Sequence, residues 1–326
     1  MNSIQRDLIV LLTLLAGPTL GSEQGARTEP IFLDTQFRRG FLLSYPDSSQ
    51  GRSVEAVLDF DDEDNVPVWR LCQWGTKRTL AGARCTRSNA TDLSYENEAK
   101  RIVVGGPVSE HRNLVLCVRG EAEYGARARK PGESWPHLLV EQDAIQLYRL
   151  DEVDEIQFQI GLRLLHSTNH MSRDDYDPGL HAAQFQMFFI IKNIRPGSDD
   201  HGDFYWFGVP FYDSRHDLPP AYMAKDAGKG DATGKFICSI DGRTVNRTPL
   251  KEGRWVTLQK DLLPHIQSGL REAVARGYLK NADPHDYAIS NMNLGWEIPG
   301  TFDVAIQVRD FSVSAVLRAE GHDRVR

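Results

Sequence analysis

Residues 155–166, EIQFQIGLRLLH, alternate without a break: Ile156, Phe158, Ile160, Leu162 and Leu164 fall to one side, and Glu155, Gln157, Gln159, Gly161 and Arg163 to the other. A period of two sends successive side chains to opposite faces of an extended chain, so this segment is predicted to be a strand buried on one face only. Residues 301–309 repeat the arrangement, with Phe302, Val304, Ile306 and Val308 inward and Asp303, Gln307 and Arg309 opposite. Residues 182–192 begin the same way, with Gln184 and Gln186 on one face, then turn apolar on both and must be covered on two sides. Further strands are predicted at 40–44, 54–59, 66–74, 102–104, 114–119, 137–142, 204–212, 235–240 and 255–259, separated by turn formers such as RKPGESWP and RPGSDDHGD. Many short strands with no strand–helix–strand alternation predict an all-β fold, an antiparallel, jelly-roll-like β-sandwich. One segment differs. Residues 262–279 place Leu262, Leu263, Ile266, Leu270, Val274 and Tyr278 at helical spacing, with Pro264 suited to a first turn, which predicts one amphipathic helix packed on the sandwich.

At 326 residues the chain can bury one large core or two ordinary ones. No repeat or low-complexity linker divides it, which predicts a single domain over 28–318 and a tail over 319–326. Residues 1–22 read as a signal peptide: Arg6 precedes the apolar run LIVLLTLLA, and Gly17-Pro18 ends it before small residues, with 23–27 as a short linker. Nine apolar residues fall short of the ~20 a membrane helix needs, so the expectation is a secreted or periplasmic protein without a membrane span. In such a compartment Cys72, Cys85, Cys117 and Cys238 could pair, Cys72 and Cys85 closing a short loop, although Cys117 in LVLCV reads as packed. None has zinc-site spacing. Asn89 and Asn246 sit in glycosylation patterns. The formal charge of −7 argues against general nucleic-acid binding but leaves room for a local arginine cluster.

Three predicted strands present amide and guanidinium groups on their polar faces: Gln157, Gln159 and Arg163, then Gln184 and Gln186, then Gln307 and Arg309. Such groups suit sugar hydroxyls and carboxylates, because each offers several donors in fixed geometry. The same residues also suit the wet outside of a sandwich. In GDFYWFGVPFYDSRH, strict alternation places Trp206 and Tyr212 on one face with Gly208 between them, a platform for a sugar ring, followed by Asp213, Arg215 and His216 at the strand end. His137 and Glu141 share a face about 13 Å apart. Glu121 and Glu123, read as strand neighbours, offer the spacing of paired glycosidase carboxylates. Asp59, Asp61 and Glu63 in DFDDEDN could hold a structural Ca²⁺, as could Asp199, Asp200 and Asp203. No other cofactor is called for. The chain has no nucleophile elbow and no phosphate-binding glycine loop in the right context.

The segment NLGWEIPGTFDVAIQVRDFSV, with the Gln-bearing strands and their aromatics, resembles the closing strands of exported jelly-roll proteins of carbohydrate metabolism. That group includes carbohydrate-binding modules, polysaccharide lyases and some glycoside hydrolases. The resemblance covers the second half of the chain and matches no catalytic motif. It implies a polysaccharide or glycan partner. Three functions follow as expectations. The first is a glycan-binding sandwich using Trp206, Tyr212, Gln157, Gln159, Gln184, Gln186 and Arg215. The second is a lyase of uronic-acid polymers, with Arg163 or Arg215 neutralising the carboxylate and His216, His137 or Tyr212 removing the α-proton. The third is a retaining glycoside hydrolase built on Glu121 and Glu123.

Overall fold

A computed structural model of the protein describes residues 27–59, 66–88, 91–125, 127–227 and 232–319. In chain order these form β1 (Thr28–Pro30), β2 (Phe41–Ser44), β3 (Val54–Leu58), β4 (Trp69–Cys72), β5 (Thr86–Ser88), β6 (Asp92–Glu96), β7 (Lys100–Val104), β8 (Leu114–Arg119) and the short helix α1 (Gly120–Tyr124). There follow β9 (His137–Asp143), β10 (Val153–Asn169), β11 (Gln184–Asn193), β12 (Phe204–Asp213), β13 (Tyr222–Lys225), β14 (Phe236–Ser239), β15 (Trp255–Asp261), helix α2 (Leu263–Ala275), β16 (Tyr287–Glu297) and β17 (Phe302–Leu317).

Two sheets make a β-sandwich. One has eight strands, ordered β15, β10, β17, β8, β7, β6, β5, with β1 also paired to β17; the other has nine, ordered β13, β14, β12, β11, β16, β9, β4, β2, β3. Strands near in sequence repeatedly lie in opposite sheets, as β9 and β10 or β16 and β17 do, and all pairs are antiparallel except β12 with β14 and β2 with β4. The alternation explains the layering. Ile156, Phe158, Ile160, Leu162 and Leu164 of β10 are buried, and so are Phe185, Met187, Phe189 and Ile191 of β11, because each strand turns its apolar set toward the other sheet. Phe158 stacks on Phe211 across the core at 6.1 Å, and the buried Trp296 indole donates to the Leu116 carbonyl at 3.0 Å, joining the sheets.

Helix α2 begins with proline in its first turn, where the missing N–H costs no hydrogen bond. It buries Leu263, Ile266, Leu270 and Ala273, and Tyr205 Oη donates to the Ile266 carbonyl. Full burial of Ile266 and Leu270 contributes about 1.5–3 kcal/mol each. No helix among the described residues is long and apolar enough to cross a membrane.

Several expectations change. The predicted strand pair Glu121 and Glu123 lies in α1, and Glu123 is buried against Lys100, with Nζ and Oε1 2.5 Å apart and side chains 0% and 2% exposed. Glu123 also accepts from Thr76 and from the Lys77 N–H, so it is a structural ion-pair partner and the glycosidase pairing with Glu121 is lost. Cys72, Cys117 and Cys238 are free thiols, so the short loop from Cys72 to Cys85 is not closed by a disulfide. In the second acidic segment Asp200 accepts from the backbone of Lys280 and Asn281, and Asp203 pairs with Lys235, so these carboxylates already serve the fold. Asp61 and Glu63, the proposed signal peptide and Asn89 lie outside the described residues.

Candidate functional site

The register decides which polar residues share a surface. Gln157, Gln159 and Arg163 face outward from the eight-stranded sheet, whereas Gln184, Gln186 and Trp206 face outward from the nine-stranded sheet. The two sets lie on opposite sides of the sandwich and cannot contact one ligand. Alternation along a strand says which residues point inward together, but not which side of the molecule the others reach.

The outer face of the nine-stranded sheet carries an aromatic patch. Trp206 is half-buried there, edge-packed against Phe204 at 5.5 Å and Phe188 at 6.1 Å. Phe188 lies over Gly208, where an added Cβ would meet the Phe188 ring at 2.7 Å and Ser239 Oγ at 2.0 Å. The glycine therefore keeps the patch low. Trp206 Nε1 donates to Thr233 Oγ1 at 3.1 Å, and Asp226 accepts from the same threonine, fixing the indole.

Tyr212 is not part of this patch. The register shifts between Phe185 and Gln186, so Phe211 is an extra residue on β12 and alternation reverses beyond it. Tyr212 turns inward, 5.9 Å from the Trp296 ring, and its hydroxyl donates to Ser167 of the opposite sheet at 2.9 Å. Burial raises its pKa, with the Ser167 hydrogen bond opposing. Asp213 takes the outward position and accepts from Gln184 Nε2 at 3.0 Å and from Arg215 Nε at 2.8 Å. Burial alone would raise Asp213; the hydrogen bonds from Arg215 more than offset it and hold the carboxyl below its ordinary value. Arg215 is thus tied to Asp213, and His216 is exposed beyond it.

Four residues along β11 from Phe188, about 13 Å by the strand rise, the sheet presents Glu297. Its carboxylate accepts from Gln186 Nε2 at 2.9 Å and Trp135 Nε1 at 3.3 Å, and lies 3.4 Å from His137 Nε2. His137 stacks on Trp135 at 5.9 Å, and the Arg129 guanidinium covers the indole at 5.2 Å. Farther across, Glu141 faces Arg70 at 3.3 Å. Burial pushes Glu141 above the usual carboxylate range, with Arg70 and Arg52 opposing. Two positions on, Asp143 is bound by Arg52 and Asn291, and the Arg52 hydrogen bonds hold it below that range.

The sequence alone points to His137, Glu141, Gln184, Gln186 and Trp206 but not to Glu297 or Phe188 as members of this surface. Glu297 lies in the quoted WEIPG, yet only the pairing of Gln184 with Glu297 and of Glu297 with His137 shows that three distant segments meet there.

No known protein family matches the chain, and no curated protein matches it in sequence. Among solved structures, it is similar to a meso-active, thermostable cellulase derived from Cel12A of Rhodothermus marinus, at 14% identity over 75% of this chain and 98% of that one, TM-score 0.38. It is also similar to a family 12 xyloglucanase from Bacillus licheniformis, at 10% identity over 72% and 97%, TM-score 0.39. The xyloglucanase domain of NopAA from Sinorhizobium fredii, solved with cellobiose, matches at 10% identity over 73% and 100%, TM-score 0.35. Similarity at this level is distant in fold as well as in sequence.

Proposed function

We propose that the protein recognises a glycan along the outer face of its nine-stranded sheet and works outside the cytoplasm. The observation that carries the reading is the continuous strip from Trp206, Phe188 and Phe204 to Gln186 and Glu297. It joins ring faces for stacking to amide and carboxylate groups for hydroxyls, on rigid strands rather than loops. From Trp206, level with Ile190, to Glu297, level with Gln184, the strip spans six residues of β11, about 20 Å by the strand rise. Its carboxylates Asp213 and Asp143 are engaged by arginines, which favours recognition over chemistry.

Hydrolysis is a second reading with one observation in its favour. Glu141 and Asp143 share a face two residues apart, about 7 Å by the strand rise, within the ~6.5–9.5 Å of inverting carboxylate pairs. Their surroundings push their pKa values apart, Glu141 up and Asp143 down. Glu141 would be the acid and Asp143 the base. A lyase centre has less support, because Arg215 and Tyr212 are held by Asp213 and Ser167 and face different ways. A structural Ca²⁺ held by Asp59, Asp61 and Glu63 completes the proposal.

The test is a screen of the protein against soluble β-glucan, xylan and polygalacturonate. It would follow retention in affinity gels, new reducing ends and ultraviolet absorbance of unsaturated product. Retention without either product signal is the expected result. Reducing ends abolished in Glu141→Gln would move the assignment to hydrolysis, and no retention on any polymer would defeat both.

A further inference from the structure

The opposite side of the sandwich holds a cavity of about 310 Å³ lined by Arg112, Arg163, Arg309, Trp255 and Gln307, with Glu110 as its one acidic lining residue among the described residues. The volume is at the small end of ligand sites, ~300–1,000 Å³. Its cations are brought together by the strand register: Arg163 of β10 lies between Trp255 of β15 and Gln307 of β17. Arg309 comes from the next row, opposite Gly161.

Two backbone features aim Arg309 into the cavity. Gly161 has no side chain where an added Cβ would meet Arg309 Cγ at 2.8 Å, so the arginine lies flat across β10 and stacks on Trp255, its guanidinium 3.8 Å from the ring centroid. Immediately after it, the register of β17 shifts at Asp310, which adopts a positive φ of 52° and whose N–H is held by Asn113 Oδ1 at 3.0 Å. A left-handed aspartate at a bulge re-aims the adjoining side chain.

The Arg163 guanidinium shares the same indole at 5.2 Å and donates to Gln307 Oε1 at 2.6 Å. Gln307 is itself fixed by donating to the Glu110 and Arg112 carbonyls. Asp310 is the nearby acid, but it is bound by Arg112 at 2.9 Å and lies 3.5 Å from Arg309 Nε. Among the described residues the Nε atoms of both Arg163 and Arg309 are buried without a hydrogen-bond partner. Two guanidiniums crowd one indole, and the Asp310 carboxylate beside Arg309 is shared with Arg112, so a further anion within reach of both Arg163 and Arg309 would be attracted by unlike charge.

We propose that this cavity binds the carboxylate or sulfate ester of an acidic sugar, with Arg163 and Arg309 as paired donors and Trp255 as their support. The site is separate from the glycan strip, which lies on the other sheet, and does not depend on it. The cavity exceeds what an inorganic ion fills, and this selects an oxyanion carried on a ring-sized body.

The full chain would be titrated with sodium glucuronate, glucose 6-sulfate and inorganic sulfate at fixed ionic strength, reading heat and the shift in thermal midpoint. Saturable binding of at least one sugar acid, tighter than inorganic sulfate, is expected, and which sugar acid binds identifies the charged group. Arg163→Gln and Arg309→Gln should each weaken it roughly tenfold or more, the loss of one charged donor. Arg309→Lys, which keeps the charge and loses the planar stack, should weaken it less, and Trp206→Ala should leave it intact. Gly161→Ala, which lifts Arg309 from the ring, is a second route to the same loss without removing a cation. Binding of inorganic sulfate as tight as the sugar acids, no saturable binding, or binding unchanged in both arginine variants would overturn the proposal.

Discussion

Replacing Glu123 by glutamine should expose how the core holds a charge. Burial pulls the Lys100 ammonium below its ordinary value, while the Glu123 carboxylate pulls it back up. Glutamine keeps the shape and loses the counter-charge, and breaking a buried pair from one side costs about 3–5 kcal/mol. The loss has a ceiling, because Lys100 can shed its proton: at pH 7 that costs about 4.6 kcal/mol from a reference pKa of ~10.4, and at pH 9 about 1.9 kcal/mol. In the variant, Lys100 is neutral when folded and charged when unfolded. The unfolded chain therefore binds more protons and stability rises with pH. Urea unfolding of wild type and Glu123→Gln at pH 7 and pH 9 should show a deficit near the ceiling that shrinks by about 2–3 kcal/mol. Replacing both residues, as Lys100→Met with Glu123→Leu, should recover most of it, since a packed apolar pair needs no desolvation. A Glu123→Gln deficit below about 0.5 kcal/mol, or one that stays constant with pH, would refute the reasoning.

Gly208→Ala should destabilise the protein by about 1–3 kcal/mol in urea unfolding, because the new methyl would overlap Ser239 Oγ and the Phe188 ring and force both side chains aside. Acid should weaken the fold below about pH 4, since the stability contributed by the low pKa values of Asp143 and Asp213 is present above the unfolded value and lost as pH falls through the folded one. Asp213→Asn should flatten that slope when thermal midpoints are compared between pH 5 and pH 3. Chelation should lower the thermal midpoint if the loop at Asp59, Asp61 and Glu63 holds Ca²⁺, and an unchanged midpoint would remove that site.

Much of the sandwich was legible in β10 and β17, where alternation names the inward apolar set, whereas in β11 the outer apolar positions Phe188 and Ile190, expected to be covered, are only half-buried. Helix α2 was legible for the same reason, at a different period. The site was harder to read, for three physical reasons. A one-residue bulge at Phe211 turned Tyr212 inward and Asp213 outward, and nothing in the local composition marks it. The acidic pair at 121 and 123 continues directly from a strand, so its switch to helix α1 is a matter of tertiary packing around the Lys100 ammonium. The meeting of Trp255, Arg163 and Arg309 depends on pairings between strands far apart in sequence, which no local pattern records.

The most direct measurement of the central claim is a calorimetric titration of wild type and Trp206→Ala with oligosaccharides of the polymer retained most strongly in affinity gels. Removing the stacked indole should cost about 1.5 kcal/mol, roughly a tenfold rise in Kd, with the unfolding midpoint little changed. An unaltered Kd in Trp206→Ala would contradict the account, because it would place any glycan contact away from the strip that Trp206 anchors.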